Sequence, residues 1–384
     1  MIKNWPLFML SLFLVFGAFA VPFLTHAPNR LISGQAVWLV ALPLPATLTF
    51  LLPCVVLVMG SSLPQTHRTF LVLIVAAMLA LSGLVHVAAV NAKALALAAA
   101  TPYARTSFGA GFWLMTVSVA LALADLTARA GLGPIARVAL GFVTSLPIAL
   151  MIAVGHLDQM SILKEYANNS DLFRTSLGRH FVIVFAALVP TLVVGVPVGV
   201  MAFRKANVGG AILSVLNIIQ TVPSIALFGL LMAPLSALAA TVPLLKSMGI
   251  SGIGLAPAVI TLTLYSILPI VRNTAEGLAQ VPAAVVEAAK GMGMTNRQVF
   301  WKVEAPLALP VFLSGLRVTV VQTIGLAAVA ALIGAGGLGA IMFQGLFSNA
   351  LDLVLLGALP IIAIAVVADA MFKLIVTLSQ KGVA

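Results

Sequence analysis

Five charged side chains, Glu287, Lys290, Arg297, Lys302 and Glu304, fall within eighteen residues of a chain in which only 8% of residues are charged. They lie in the segment 287–310, EAAKGMGMTNRQVFWKVEAPLALP, between apolar runs long enough to cross a membrane. No histidine or cysteine accompanies them, and no paired carboxylates share a motif anywhere in the chain. Their chemistry is that of a contact surface, not of catalysis. Ala288, Ala289 and Lys290 after Glu287 are good helix formers. Gly291 and Gly293 bracket Met292, end that helix and allow a sharp bend. Thr295 or Asn296 can cap a second helix through Gln298, Val299 and Trp301. Pro306 and Pro310 mark the return to the membrane. The expected product is a helix-turn-helix knob exposed to water.

Other candidate chemistry is thin. No G-x-x-x-x-G-K-[ST] occurs, so the chain has no phosphate loop of that kind. Residues 334–339 fit G-x-G-x-x-G to the letter but follow an apolar span and lack the strand-turn-helix setting of a dinucleotide site. They read as a re-entrant or tight turn at the outer face, with a hinge or gate as the sharper alternative. Asn217, Gln220, Thr221 and Ser224 put polar groups inside a span beside Pro223. A broken, polar segment is tolerated where protein or a water-filled cavity covers it. These residues, and Tyr265 with its neighbours Thr261, Thr263 and Ser266, are candidates for lining a pathway; interhelical hydrogen bonding is the plain alternative. Arg317 sits about two turns into its span and either snorkels to the interface or couples the knob to the pore. Asp369 with Lys373, and Asp125 with Arg129, are spaced i, i+4 and read as structural pairs; Glu276 can pair with Arg272 by the same rule. His86 and His180 read as lone interfacial residues, not metal ligands.

The elements that position these residues are membrane helices. The chain has 384 residues, 62% of them hydrophobic, with a mean hydropathy of +1.19. Ordinary soluble domains carry about 25% charged residues. The net charge of +11 is no nucleic-acid signal, because the basic residues sit singly in short loops. Cys54 is the single cysteine, which excludes an intramolecular disulfide and cysteine-based zinc or iron–sulfur sites. Apolar runs predict ten spans, at about 5–25, 36–60, 69–90, 109–126, 134–155, 180–203, 208–232, 256–275, 309–330 and 351–375. A cleaved signal peptide is the alternative for the first, because Ala18-Phe19-Ala20 resembles a cleavage site. The first five spans form an N-terminal block, 1–156. Residues 157–179 read as an external polar linker, with Lys164, Glu165 and Tyr166 on a short helix at the membrane face. The second block is 180–384. Thirteen of the 20 Lys and Arg residues fall on the side of the 287–310 loop. That loop and both termini are therefore expected in the cytoplasm.

The knob's spacing resembles the EAA loop of ABC-importer permeases: EAA, three residues, G, nine residues, I-x-L-P. Glu287, Ala288, Ala289 and Gly293 match it. Val303 stands for the Ile, Ala305 for the Leu and Pro306 for the Pro. Residues 195–199 (GVPVG), 217–224 (NIIQTVPS), 265–273 (YSILPIVRN) and 331–339 (ALIGAGGLG) follow the order seen in permeases for glycine betaine, choline and carnitine. That similarity covers roughly residues 180–375. Residues 26–30, 104–109 and 164–168 resemble the extension of the long permease of the enteric-type betaine importer.

The resemblance implies an all-α polytopic protein with a five-span type I importer core. It implies a permease subunit, not an enzyme, moving a quaternary-ammonium osmoprotectant such as glycine betaine inward across the bacterial inner membrane. In the family the EAA loop docks on an ATPase subunit, so ATP-Mg would be bound by a partner dimer and no cofactor by this chain. A second permease chain, a heterodimer being favoured, and an extracytoplasmic solute-binding protein complete the implied assembly. Two alternatives stand beside it: an ion-coupled secondary transporter built of two five-span repeats, and a membrane scaffold regulating another permease.

Overall fold

The computed structural model describes residues 2–381, except Leu31, Ala100 and Met248. Two compact units divide at Asn168, Met1–Asn168 and Asn169–Ala384. Among the described residues, eight helices are long and apolar enough to cross a membrane, and four shorter apolar helices accompany them. The fold is helical apart from one small sheet. The stretch 157–179 is no free linker: it is shared between a short helix that closes the first unit and the first turns of the long helix that opens the second.

The first unit holds α1 (Trp5–Phe19), α2 (Leu44–Gly60), α3 (His67–Ala99), α4 (Ala110–Arg129), α5 (Pro134–Ala153) and α6 (Ser161–Asn168). Helix α1 packs on α4 and α2 on α3. The expected spans 5–25 and 36–60 are too long at one end. Beyond Phe19 the chain leaves the helix before Pro22, and α2 starts only after Pro43. The residues between form β1 (Leu24–Ala27) and β2 (Gln35–Val37), and β3 (Arg105–Phe108) completes an antiparallel sheet of order β2-β1-β3. Leu24 sits opposite both Val37 and Phe108. Strands of three or four residues carry too little periodicity to be told from helix ends.

This sheet gathers the connections after α1 and α3 at one end of the unit, and Met160, just before α6, bridges to Thr106. The Glu165 carboxylate is buried there, 3.7 Å from both the Arg30 and Arg105 guanidiniums. Lys164 Nζ donates to the Ala104 carbonyl at 3.0 Å. His26 Nδ1 lies 2.9 Å from Thr106 Oγ1. Burial, and then the nearby Lys164 ammonium, hold the His26 imidazole below its usual pKa.

The second unit holds α7 (Ser170–Arg204), α8 (Ala206–Thr221), α9 (Ser224–Thr241), α10 (Pro243–Ser247), α11 (Leu255–Ala279), α12 (Ala283–Gly291), α13 (Asn296–Val299), α14 (Ala305–Ala327), α15 (Leu338–Phe347) and α16 (Leu351–Lys381). Helix α11 is its centre, packed on α7 and α14. Gly195 and Gly199 let α7 and α11 approach: a Cβ on Gly199 would lie 2.6 Å from Thr274 Cβ and 2.9 Å from the Val271 carbonyl oxygen. Small residues one turn apart are the usual means of bringing membrane helices together. The expected single span 208–232 is two helices. Pro223 has no N–H to continue the ladder and pushes Val222 into an extended conformation, ψ 127°, so α8 stops and α9 restarts and runs on to Thr241.

Two outcomes follow. Gly199→Val overpacks the α7–α11 crossing and costs about 1–3 kcal/mol, read as a lower thermal midpoint of the purified chain in detergent. In the sheet, the unfolded chain takes up a proton on His26 before the folded one does. The stability His26 leaves intact at neutral pH is therefore lost as the pH falls from about 6.5 through its lowered value. Hydrogen exchange of the β1 and β3 amides will speed up on acidification relative to His26→Gln at the same pH.

Candidate functional site

The knob expected at 287–310 forms, and its motif spacing has a backbone cause. Helix α12 begins after Pro282 and ends in a complete Schellman closure. The Gly293 N–H donates to the Lys290 carbonyl at 2.9 Å, and the Met294 N–H to the Ala289 carbonyl at 3.2 Å. This closure requires the left-handed conformation at Gly293, whose φ is 83°. A residue with a Cβ there costs about 1–2 kcal/mol. The interval from Glu287-Ala288-Ala289 to Gly293 is thus the interval from the last turn of a helix to its terminating glycine.

Thr295 opens the next helix with a capping box: its N–H donates to Gln298 Oε1 at 2.8 Å, and its hydroxyl accepts from the Gln298 N–H. Ala289 and Val299 are the buried residues of the two short helices. Glu287, Ala288, Lys290, Arg297 and Lys302 face outward, and so do Val285, Met292 and Trp301, the last two 72% and 63% exposed. The knob therefore offers charge and large apolar side chains together.

Pro306 and Pro310, read from the sequence as marking the return to the membrane, lie within the first turns of α14 and do not interrupt it. A single helical path runs from Asn296 through Ala327. A π-helical turn, Phe300–Glu304, widens it where Pro306 would otherwise clash with the carbonyl one turn back. The turn also carries Glu304 into the unit, where it is 4% exposed and paired with Arg204 at the end of α7. Arg204 in turn lies 5.3 Å from the Phe203 ring. The sequence reading placed Glu304 on the solvated knob; no local signal links it to a partner 100 residues away. Of the remaining motif positions, Val303 is half-buried and Pro306 exposed.

The pathway candidates separate. Gln220 Nε2 donates to the Tyr265 carbonyl at 2.7 Å, joining α8 to α11. Thr221 Oγ1 returns to the Ile218 carbonyl of its own helix. Asn217 is exposed and Ser224 half-buried at the break. Tyr265 is buried, and its hydroxyl and that of Thr261 have no partner among the described residues. Ser266 bonds Thr323 of α14 at 2.8 Å. Arg317 neither snorkels freely nor touches the knob: its Nε is 2.6 Å from Asp369 Oδ1, while Lys373 Nζ is 2.7 Å from the other carboxylate oxygen. This triad joins α14 to α16. Asp125 and Arg129 pair at 2.8 Å. Arg272 and Glu276 form no ion pair among the described residues, and a cation preceding an anion by four is the weaker order.

The glycine stretch forms a turn with Gly334, Gly336 and Gly337 at φ 77°, 82° and 83°. Arg179 Nε clamps it by donating to the Ala335 carbonyl at 2.9 Å. Two histidines depart from expectation. His180 is fully buried, with Gly337 packed against its ring. His86 is not alone: it stacks on His156 with ring centroids 5.2 Å apart.

Comparison with known proteins places these features. Residues 3–163 match the family described as "ABC transporter permease YehY, N-terminal domain", and residues 192–378 match "Binding-protein-dependent transport system inner membrane component". The osmoprotectant import permease protein OsmW of Salmonella typhimurium is 38% identical over 225 residues, 58% of this chain and all of that protein. The glycine betaine/carnitine/choline transport system permease protein OpuCD of Bacillus subtilis is 36% identical over 53% of this chain and 82% of its own length. A solved inward-facing MetNI methionine ABC transporter aligns with 55% of this chain and 98% of its own at 24% identity and a TM-score of 0.47.

The Glu304–Arg204 pair is the joint most open to test. Arg204→Ala and Glu304→Gln should each destabilise the second unit, and a double-mutant cycle of unfolding midpoints should return a coupling of about 1–3 kcal/mol.

Proposed function

Because the chain belongs to the binding-protein-dependent transport-system inner-membrane components, we propose that it is the membrane-spanning subunit of an ATP-driven importer for a quaternary-ammonium osmoprotectant such as glycine betaine. The observation that carries this reading is the knob: a Schellman-closed α12, a capping-boxed α13 and a rigid helical path from α13 into the membrane. A partner ATPase dimer supplies ATP-Mg. It docks on the exposed side chains around Glu287, Ala288 and Met292, with Ala289, Gly293, Val303 and Pro306 holding the shape. Closing of that dimer pulls on 287–310, and α14 carries the displacement because no flexible loop separates it from α13. Two conformations are biased by contacts that differ between them, which is what coupling requires.

In this reading both termini and the knob lie in the cytoplasm, and the protein sits in a bacterial inner membrane. A second permease chain, favoured as a different and shorter one, forms the other half of the pathway, and an extracytoplasmic binding protein delivers the solute. Asn217, Ser224 and the Tyr265 hydroxyl, which has no hydrogen-bond partner among the described residues, are the proposed pathway groups. Gln220 and Arg317 hold helices together, and Thr221 closes on its own helix. The secondary-transporter alternative loses its ground, since the two halves match different families instead of repeating one.

Gly293→Val and Glu287→Lys should each abolish solute uptake by the assembled complex while the chain still inserts and is recovered from membranes at wild-type amounts. Wild-type uptake in both variants would rule out the coupling role.

A further inference from the structure

We propose that a groove beside α15 is a low-affinity docking site for the quaternary-ammonium head of the solute, an inference that rests on the osmoprotectant reading above. The groove has a volume of about 540 Å³ and is lined by Phe343, Gln344 and Phe347 of α15 and Ser348 at its C-terminal cap, with Ala331 and Leu332 of the preceding turn. No charged side chain lines it. Its position is fixed by the far side of α15. Gly339 and Gly345 press that helix against its neighbours: a Cβ on Gly339 would lie 1.9 Å from the Ala328 carbonyl oxygen, and one on Gly345 2.5 Å from the Val354 nitrogen. With Leu338 and Ile341 also buried, the phenylalanines turn outward, and Phe347 is 78% exposed.

The two rings are near parallel, at an interplanar angle of 27° with centroids 6.1 Å apart. A quaternary ammonium has no N–H to donate, so hydrogen bonding cannot hold it. Aromatic faces within about 6 Å can, and in a groove free of lysine and arginine nothing repels the cation. The carboxylate of a betaine needs a donor. The Ser348 hydroxyl is committed to the Gln344 carbonyl at 2.7 Å. The Gln344 amide has no hydrogen-bond partner among the described residues and is free to donate. The site lies at the end of α14 opposite the knob, about 35 Å away by helix rise, where a solute released on the outer side would arrive. Its openness suits transient capture, not tight binding.

The test uses the assembled complex. Saturation-transfer NMR, with glycine betaine as the probe and no binding protein present, should light up the trimethylammonium protons in the wild type. Phe343→Leu with Phe347→Leu keeps apolar bulk and removes both π faces. It should erase that signal and raise the half-saturating solute concentration for uptake about threefold to tenfold, and tryptophan at both positions should restore both readouts. Leucine variants with wild-type signal and wild-type uptake would overturn the site. Loss of complex assembly in the leucine and tryptophan variants alike would also overturn it, marking the groove as a contact with the second permease chain. A wild-type complex that imports no quaternary-ammonium solute would instead overturn the substrate reading on which the site rests.

Discussion

A backbone in hydrocarbon must satisfy its own N–H and C=O groups, and the rest of this structure follows from where that rule is broken and how each break is closed. Four of the interruptions in the second unit's helical ladder bear on the candidate site. At Pro223 the missing N–H parts α8 from α9. At Gly293 a Schellman closure ends α12. At Phe300–Glu304 a π-turn accommodates Pro306. At Gly334, Gly336 and Gly337 a left-handed turn leads into α15, held by Arg179. Gln220, Ser224, the knob and the glycine turn lie at or beside these breaks, whereas Tyr265 and Arg317 lie within unbroken helix. Regular helix supplies span and stiffness, and the exceptions supply surface, polar groups and bends.

The breaks differ in what closes them, and the difference assigns roles. The closures of α12 and α13 are local and involve backbone and adjacent side chains, so the knob keeps its shape whatever the rest of the unit does. The joints to the membrane helices are long-range and ionic: Glu304 to Arg204, and Asp369 to Arg317 and Lys373. A carboxylate 4% exposed, such as Glu304, is costly without its cation. These pairs therefore tie α14 to α7 at its foot and to α16 midway along its length. A rigid knob on a continuous helix that is tied to two others is the arrangement that turns a pull at the surface into movement within the membrane.

Much of this was legible in the sequence. Long apolar runs announce helices because hydrocarbon admits little else: seven of the ten expected spans lie on helices that the structure places among its candidate membrane crossings, and an eighth, 208–232, is divided between a shorter helix and one of those crossings. The knob was legible because its signals are local: Gly293, Thr295 and Gln298 act within one or two turns. The small sheet was not, because Leu24–Ala27 and Gln35–Val37 are short pieces beside longer apolar runs, and Leu24–Ala27 also pairs with a strand about 80 residues away. The break at Pro223 was visible as a kink, but whether a proline bends or parts a helix depends on packing. Glu304 read as one more solvated charge, because nothing near it names Arg204. His180 read as interfacial from its place near a helix end, whereas the absence of a side chain at Gly337 lets the turn close over it.

The central claim is that displacement at the knob, driven by a nucleotide-binding partner, moves solute through this unit. The most direct test is uptake of radiolabelled glycine betaine into proteoliposomes containing the assembled complex and its binding protein, with ATP or a non-hydrolysable analogue sealed inside and no ion gradient. Uptake with internal ATP and none with the analogue is the predicted result. Uptake without ATP, driven by an imposed ion gradient alone, would contradict it.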